Sequence, residues 1–546
     1  MTGGTAYGGF MWKKNQDSPD EGGVRVPDTK RFRNDSGNSG EIHVESVKSR
    51  ARRQIVFSAV VFVLLFSLMA ASFCRYAIVN QRILFDNSDN NRRYLLEKHN
   101  RRGTIYSSDD YSSGEEVLAE SDDENNRSYP YGEIFCHAVG FASYGGGGID
   151  GYMDYQLMTS DISFQERLQY DKEESLYPGN DVFTTLDVNL QQYAYEALLR
   201  EYYRGAVIIT EPSTGKIRAM VSLPGFDPNM LDYTWEGMRD DVNGRGELVN
   251  RVTQGSYPPG STFKILDAIE MLQENPSAME DYSFDCQTGT FGEGDASIHC
   301  FDYEHHHEQN LKEAFAHSCN SAFASMVSED LNLDQFRSTL KKMMFNGPLP
   351  YSLPYSESSS QLLVTEANGE EISRKELLQV AIGQGSTLVS PLHMNMITMA
   401  VANNGVLMRP YMIESLMAGD GKILRQYDPK TEKRLMDEDV ARKVRTLMRG
   451  VTNVLPSDRT GENVWGTANE FNGTTNYMAY GKTGTAEFGD EDDSHAWFTG
   501  FTVADEDRED GPADLCITVV IENGGVGSDK AVPVAKEIMD RWYGEY

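Results

Sequence analysis

The chain has 546 residues, with 83 Asp or Glu against 50 Lys or Arg, so its formal net charge at pH 7 is −33. The length allows several domains, and the acidic balance argues against nucleic acid or an anionic membrane surface as a partner of the folded part. Six cysteines are too few for a disulfide scaffold. Cys286 and Cys300 flank a glycine-rich stretch, and the sequence leaves open whether they form a disulfide or remain two free thiols.

The N-terminal part predicts a tail followed by a membrane anchor. Residues 1–53 are rich in Gly, Ser, Asp and Asn without a hydrophobic period, which indicates disorder. Residues 54–74 are uncharged and mostly apolar, a length that suits one bilayer crossing. A buried core helix is the alternative, but such a helix rarely lacks a polar face. A cleavable signal peptide is disfavoured because the segment before the apolar run is too long.

The charges beside the apolar run predict its orientation. Four basic residues crowd its N-terminal side: Lys48, Arg50, Arg52 and Arg53. Because basic residues favour the cytoplasmic side, the tail should be cytoplasmic and everything after the anchor extracytoplasmic. Residues 75–178 lack a strong period, and the acidic, serine-rich stretch 107–128 predicts a mobile loop.

From residue 181 the pattern predicts regular elements. Helices are expected at 191–203 and 532–542, and a largely helical region from 261 to about 450 with a loop near 346–370. Strands are expected at 206–210, 217–222, 478–488, 496–503 and 515–522, the first two joined by a hairpin turn and the last two by an acidic turn. Two early and three late strands suggest one antiparallel five-stranded sheet in an α+β domain.

Ser261 and Lys264 are the first candidate catalytic pair. Pro258-Pro259-Gly260 sets a turn, and the apolar residues that follow recur at helical spacing, so Ser261 should begin a helix with Lys264 one turn on. A serine hydroxyl is a poor nucleophile until a base takes its proton, and a lysine can be that base only when neutral. The same spacing occurs at Ser213/Lys216 and Ser338/Lys341, where a turn and a surface helix are the better interpretations.

Two later motifs decide between these pairs. Ser318-Cys319-Asn320 and Lys482-Thr483-Gly484-Thr485 follow Ser261 in the chain, and this order of motifs is the signature of penicillin-binding proteins and serine β-lactamases. The resemblance spans roughly 180–546. It includes Gly205-Ala206-Val207, Thr214-Gly215-Lys216-Ile217, Phe226-Asp227-Pro228-Asn229, Asn250-Arg251, Ile382-Gly383-Gln384-Gly385 with Pro391, and Ala402-Asn403-Asn404-Gly405. It implies the transpeptidase fold, with the nucleophile helix between the sheet and a helical lobe.

The region before the catalytic part resembles the pedestal of class B penicillin-binding proteins. The similar stretches are Asn91-Arg92-Arg93, Arg102-Gly103-Thr104-Ile105-Tyr106, Tyr129-Pro130, Gly140, Gly148 and Leu157. The family's usual Asp-Arg-Asn-Gly after the tyrosine is missing. The short pedestal resembles compact elongation or division proteins of Gram-positive bacteria and leaves no room for a glycan-polymerising domain. The expected domains are a tail (1–53), an anchor (54–74), a dimerisation-like pedestal (75–178) and a transpeptidase domain (179–546).

The resemblance implies a role for each motif residue. Ser261 is the nucleophile and Lys264 its base; Ser318 relays a proton to the leaving amine, and Asn320 orients Lys264 and the substrate backbone. Lys482 binds the substrate carboxylate and helps to keep Lys264 neutral. Thr483 and Thr485 hydrogen-bond that carboxylate, Gly484 lets substrate approach the strand, and the N–H groups of Ser261 and Thr485 form the oxyanion hole.

Two further features receive a structural interpretation. Cys319 is expected to be a small buried apolar residue rather than a reactive thiol. His305, His306 and His307 point in different directions in any regular element, so they are expected to lie in a solvated loop rather than to form a ligand set. His495 stays unassigned, and neither a metal nor a cofactor is expected.

The function implied is a single-pass membrane D,D-transpeptidase that cross-links peptidoglycan stem peptides through a serine acyl-enzyme and is acylated by β-lactams. A serine β-lactamase is disfavoured by the anchor, the pedestal and the domain length, and a catalytically idle cell-wall scaffold by the intact motifs. A β-lactam sensor lacks an obvious output domain. Expected partners are stem peptides, β-lactams, a polytopic glycan polymerase and other divisome or elongasome proteins.

Overall fold

A computed structural model of the chain describes residues 44–79, 92–108, 114–200, 202, 204–351, 372–457, 461–487, 494–504 and 511–544. The contacts divide the chain into two compact units, Met1–Gln81 and Arg82–Tyr546. Most of the predicted tail, most of the predicted loop near 346–370 and part of the predicted acidic turn between the last two strands lie outside the described residues.

The first unit contains one long helix, Val44–Val79. Its stretch Arg52–Tyr76 is 25 residues long and apolar enough to cross a membrane. Its large apolar side chains are exposed in the unit, as Phe57, Phe62 and Leu68 illustrate. The helix begins before the predicted anchor, so 44–53 are helical where the sequence predicted disorder. Extending a formed helix costs far less than nucleating one, which explains why it continues past the apolar run.

The second unit is built on the predicted five-stranded antiparallel sheet. Its strands, in spatial order, are Met478–Glu487, Ser494–Val503, Leu515–Ile521, Gly205–Thr210 and Ile217–Leu223. The four strands after Met478–Glu487 in this order are buried at every position, because helices cover both faces. Thr499 hydrogen-bonds Thr398 of one helix, whereas Thr502, on the opposite face, hydrogen-bonds Tyr543 of another.

The helices of the second unit flank this sheet, form the helical lobe or lie in the predicted pedestal. They are Arg92–His99, Gly148–Tyr152, Asp154–Met158, Phe164–Glu173, Val188–Leu199, Leu231–Arg239, Arg251–Gln254, Lys264–Glu274, Ala278–Asp281, Leu311–Ala316, Asn320–Ser325, Leu333–Lys342, Arg374–Ala381, Pro391–Ala402, Glu438–Thr452 and Gly527–Tyr543. Pro391–Ala402 is buried along its whole length because it packs on the centre of the sheet.

The segment from 261 to about 450 is less helical than predicted. It contains the short strands Ser283–Cys286, Thr290–Glu293, Ala296–His299, His307–Asn310, Val406–Met408, Ile413–Met417, Ile423–Gln426 and Thr431–Arg434. Most of these strands are four residues or fewer and partly exposed, so they carry no clear alternation of apolar and polar residues. Ser283–Cys286 pairs with His307–Asn310, and Thr290–Glu293 with Ala296–His299.

The predicted pedestal shares a sheet with the catalytic part. Six strands lie in the order Ile423–Gln426, Ile413–Met417, Asp181–Thr184, Ile105–Tyr106, Val117–Ser121 and Arg127–Ser128. The boundary at 178 therefore does not separate two compact units. The prediction of a mobile loop at 107–128 was wrong for Val117–Ser121 and Arg127–Ser128, because the buried Leu118 and Ala119 attach this stretch to the core. Residues 109–113 lie outside the described part.

A buried ion-pair network holds the start of this region together. Arg102 Nε donates to Asp150 Oδ1 at 2.8 Å, Arg127 Nε to Asp150 Oδ2 at 3.0 Å, and the Tyr129 hydroxyl to Asp150 Oδ2 at 2.7 Å. Arg102 also pairs with Asp154. Burial would raise the pKa of Asp150, but the charges of Arg102 and Arg127 outweigh it and lower that pKa to about 2. Asp150 is therefore ionised at neutral pH.

Candidate active site

Ser261 lies on a short turn that leads into the helix Lys264–Glu274. The turn, Gly260–Phe263, is a 3-10 helix, and Ser261 is partly exposed on it while Thr262 and Phe263 are buried. Gly260 has a φ of +53°, and a Cβ there would lie 2.5 Å from the carbonyl oxygen of Thr485. Only glycine fits, so the turn is held directly against the strand Met478–Glu487.

Lys264 is fully buried beside the Ser-Cys-Asn motif. Its Nζ donates to the Ser318 carbonyl oxygen and to Asn320 Oδ1, both at 2.6 Å, and lies 3.3 Å from Ser318 Oγ and 5.4 Å from the centroid of the Phe323 ring. Within the described residues no carboxylate pairs with this Nζ. Burial lowers the pKa of Lys264 to about 8, so roughly a fifth of it is neutral at about pH 7.4.

Lys482 lies on the sheet and contacts Ser318, the serine that Lys264 also contacts. It is fully buried on Met478–Glu487, and its Nζ donates to Ser318 Oγ at 2.8 Å and to the Thr483 carbonyl oxygen at 3.1 Å. Burial, together with the charge of Lys264, lowers the pKa of Lys482 well below its usual range. Burial is the largest cause for both amines, and the expectation that Lys482 helps to keep Lys264 neutral stays a prediction.

The Ser-Cys-Asn motif is held in a specific backbone shape. Ser318 has a φ of +57°, a left-handed conformation that is uncommon for a residue with a side chain. Cys319 is buried and caps the helix Asn320–Ser325, its Sγ accepting from the backbone N–H of Ala322 at 3.4 Å. Asn320 uses both ends of its amide, since Nδ2 donates to the His299 carbonyl oxygen at 2.7 Å while Oδ1 accepts from Lys264.

The remaining motif residues lie on the same strand. The Thr483 hydroxyl is 2.7 Å from that of Thr467, and the Thr485 hydroxyl accepts from the backbone N–H of Gly527 at 3.2 Å. A Cβ on Gly484 would lie 2.8 Å from the Pro259 carbonyl oxygen. In this structure Gly484 permits the close approach of the turn that carries Ser261, and its predicted role in the approach of substrate stays a prediction.

The structure thus brings Lys264 and Lys482 together at the hydroxyl of Ser318, and Asn320 contacts Lys264. The competing pairs differ: Ser213 is exposed in a hairpin turn where Lys216 pairs with Glu414 at 2.7 Å, and Ser338 is exposed on Leu333–Lys342.

Sequence reasoning missed several residues of the site. Phe323 and Phe315 place their rings near the ammonium groups of Lys264 and Lys482, and Thr467 contacts Thr483. The phenylalanines have no signal that separates them from other core residues. His306 was also misplaced, because its side chain is only 6% exposed whereas His305 and His307 are exposed as predicted. His495 accepts from the backbone N–H of Asn523 and packs against Tyr257.

Comparison with known proteins agrees with this geometry. Residues 205–540 match the penicillin binding protein transpeptidase domain, and the chain belongs to this family. It is 28% identical over 481 residues to peptidoglycan D,D-transpeptidase PbpA of Mycolicibacterium smegmatis, covering 82% of this chain and 90% of that protein. It is 26% identical over 460 residues to peptidoglycan D,D-transpeptidase MrdA of Escherichia coli, covering 73% and 69%.

Solved structures are similar over most of their length. Penicillin-binding protein A of M. tuberculosis, in a ceftriaxone acyl-enzyme complex, matches with a TM-score of 0.69 and 26% identity, covering 82% of this chain and 99% of that one. The D,D-transpeptidase domain of a peptidoglycan glycosyltransferase from Eggerthella lenta matches with a TM-score of 0.67 and 27% identity, covering 81% and 99%.

Proposed function

We propose that this chain is a membrane-anchored D,D-transpeptidase that cross-links peptidoglycan stem peptides through an acyl-enzyme on Ser261 and is acylated by β-lactams. One observation carries the proposal: two fully buried lysines, neither paired with a carboxylate among the described residues, converge on the Ser318 hydroxyl. A lysine without a carboxylate partner is not held in its charged form, which favours proton transfer. The family and the named relatives supply the substrate class.

The hydrogen bonds of Lys264 suit a general base. A neutral amine has two N–H donors and one lone pair. Both N–H groups donate to acceptors at 2.6 Å, namely the Ser318 carbonyl oxygen and Asn320 Oδ1. The lone pair is then available for the hydroxyl proton of Ser261, one helical turn away.

Acylation then follows in two proton transfers. Ser261 Oγ attacks the penultimate D-Ala carbonyl of the stem peptide as Lys264 takes its proton. Backbone N–H groups of Ser261 and Thr485 hold the developing oxyanion. The Ser318 hydroxyl, in reach of both lysines, passes a proton to the leaving D-Ala amine, while Lys482, Thr483 and Thr485 bind the substrate carboxylate.

The second half-reaction distinguishes a transpeptidase from a β-lactamase. A transpeptidase needs an acyl-enzyme that an incoming amine attacks well and water attacks poorly. A β-lactamase instead needs an additional base that activates a water. In this proposal Lys264, Lys482 and Asn320 serve acylation and orientation, and their hydrogen bonds support that assignment, which favours the transpeptidase. An idle scaffold would have no need for two buried unpaired lysines, whose desolvation is costly.

The anchor completes the proposal. Arg52–Tyr76 is the candidate membrane span, and its basic N-terminal flank favours a cytoplasmic tail (1–53) and an extracytoplasmic remainder. Residues 75–178 then serve as the pedestal of a transpeptidase domain at 179–546. A polytopic glycan polymerase and other divisome or elongasome proteins are the proposed partners, since the chain itself must be supplied with glycan strands.

Labelling of membranes with a fluorescent penicillin tests this function. Wild-type protein should label, and Ser261→Ala should abolish labelling because it removes the nucleophile. Ser213→Ala and Ser338→Ala, which have the same spacing to a lysine but lie in a turn and on a surface helix, are matched controls that should label fully. Full labelling of Ser261→Ala would overturn the assignment of the site.

A further inference from the structure

A buried carboxyl group lies one helical turn beyond the candidate general base. Asp267 is fully buried on the helix Lys264–Glu274. It follows Lys264 by three residues, so the two side chains lie on the same face of the helix. The catalytic steps above do not use Asp267.

Neither oxygen of this carboxyl group has a partner within the part of the chain that the structure describes. No backbone or side-chain donor reaches Oδ1 or Oδ2. No described lysine or arginine forms an ion pair with it either. Asp150, which is buried to the same degree, instead accepts hydrogen bonds from two arginines and a tyrosine. Asp267 is therefore buried without the partners that a carboxylate needs.

Among the described residues, Lys264 is the one charged group that acts on Asp267. The elements that pack closely against the helix are Gly260–Phe263, Ala278–Asp281, Met326–Asp330, Leu333–Lys342 and Glu438–Thr452. Most of their charged side chains are exposed: Glu280, Asp281, Glu329, Asp330, Asp334, Lys341, Lys342, Glu438, Asp439 and Arg442. The others form ion pairs or donate to backbone carbonyl oxygens elsewhere: Arg337, Lys443, Arg445 and Arg449.

The groups near Lys264 and on its own helix complete this environment. The buried thiols of Cys300 and Cys319 act on Lys264, as does Asp267 itself. On the helix, Glu270 accepts from the side chain of Gln273 at 2.7 Å, and Glu274 accepts from the backbone N–H of Asn332 at 3.1 Å. Neither of these carboxylates contacts Asp267.

An ionised carboxylate at this position would be costly. Removing an ion from water is unfavourable unless hydrogen bonds or an opposite charge compensate for the loss. The helix dipole gives little help, because the 3-10 turn Gly260–Phe263 already occupies the N-terminal end and the effect fades within one turn. Burial accordingly raises the pKa of Asp267 well above its usual range, against a smaller opposing effect of Lys264.

We propose that Asp267 carries a proton at neutral pH and that this uncharged carboxyl group allows Lys264 to act as a base. The second half rests on the proposed function. A carboxylate at Asp267 would favour the ammonium form of Lys264 and raise its pKa, whereas a carboxylic acid has no charge to do so. Asp267 acts through Lys264 and does not touch substrate, so it is a positioning residue.

Infrared spectroscopy of the full-length protein in detergent tests the first half. The difference spectrum between the wild type and Asp267→Asn at about pH 7 should contain the C=O stretching band of a protonated carboxylic acid. Asp281→Asn is the matched control, because that side chain is exposed, and its difference spectrum should contain only carboxylate bands. Carboxylate bands alone for Asp267→Asn would overturn the proposal.

Stability provides an independent readout of the same proton. Above about pH 4 the unfolded chain releases this proton while the folded protein keeps it, so the folded state loses stability as the pH rises. Relative to Asp267→Asn, the unfolding equilibrium constant of the wild type should increase about tenfold per pH unit between about pH 5 and 7. Asp267→Leu, which is similar in size and uncharged, should remove the same slope if the Asn variant folds poorly. An unchanged slope in the variants would overturn the proposal.

The coupling to Lys264 has two readouts of its own. Lys264→Arg places a permanent charge beside Asp267 and should move the titration of its carboxylic acid band to lower pH. Asp267→Asn reproduces the uncharged acid, so the midpoint of its acylation pH profile should stay where it is in the wild type. An unshifted band in Lys264→Arg, or a midpoint moved to lower pH in Asp267→Asn, would overturn the coupling. Infrared and unfolding measurements use no penicillin, so a failure of the transpeptidase function would leave their outcome distinct.

Discussion

Two clusters among the described residues bury positive charge and stabilise it in opposite ways. In the pedestal region, Arg102 and Arg127 donate to the carboxylate of Asp150, and the Tyr129 hydroxyl donates a further hydrogen bond to it. At the candidate active site, Lys264 and Lys482 are also fully buried, but their partners are hydroxyl, carbonyl and amide oxygens.

The difference sets what each cluster can do. Paired charges fix each other's protonation state: the pKa of Asp150 falls to about 2 and that of Arg102 rises above its usual range. Where a buried lysine has no carboxylate partner, burial has the largest effect. It lowers the pKa of Lys264 to about 8 and that of Lys482 well below its usual range. A network of the first kind holds a fold together, whereas one of the second kind transfers protons near neutral pH.

Removing the base should have the largest effect on chemistry. Lys264→Ala should lower the rate constant of penicillin acylation by about 10³-fold or more, since general-base catalysis contributes about 10²–10⁴. Lys264→Arg should fail as well, because a guanidinium stays protonated at working pH. Stopped-flow acylation measures the rate, and circular dichroism of both variants should remain that of the wild type. An active Arg variant would contradict the role of a neutral amine.

Breaking the paired cluster should instead cost stability. Asp150→Asn takes from the buried Arg127 its carboxylate partner and leaves Arg102 with Asp154 alone, so it should lower the free energy of unfolding by about 3–5 kcal/mol. The exposed pair Arg101–Asp123 supplies the control, since Asp123→Asn should leave stability unchanged. Chemical denaturation of both variants measures the difference. Equal stability of Asp150→Asn and Asp123→Asn would show that the buried network is dispensable.

The two clusters should also respond differently to pH. Because acylation needs the neutral form of Lys264, its rate should fall about tenfold per pH unit as the pH drops below about 8 and level off above it. Asp150 stays ionised throughout this range, so the stability of the fold should not follow the same curve. Acylation rates and thermal unfolding measured from pH 6 to 9 compare the two. A flat rate profile would contradict the shifted pKa of Lys264.

The parts predictable from sequence are those with local signals. Three strands of the sheet, Gly205–Thr210, Ile217–Leu223 and Leu515–Ile521, are mostly apolar runs. Ser261, Lys264, Ser318, Asn320 and Lys482 lie in short motifs of fixed order, so both features could be predicted. Burial of the two lysines could not, because lysine is usually exposed and only the surrounding fold removes it from water.

Contacts between distant segments left no such signal. Nothing in the sequence near Arg102 indicates that its carboxylate partner is Asp150. His306 is buried although it lies between two exposed histidines, and no local signal marks the difference. The short strands near it carry no period, so this part of the chain was predicted as helical.

Lifetime of the acyl-enzyme tests the central claim most directly. Full-length protein is treated with penicillin in detergent, the free drug is removed, and intact-protein mass spectrometry follows the adduct. Because all recognised groups at the site serve acylation, we predict one penicilloyl adduct per chain on Ser261 that persists after the drug is gone. Loss of the adduct within seconds, with many drug molecules hydrolysed per chain, would reveal a deacylation base and contradict the transpeptidase.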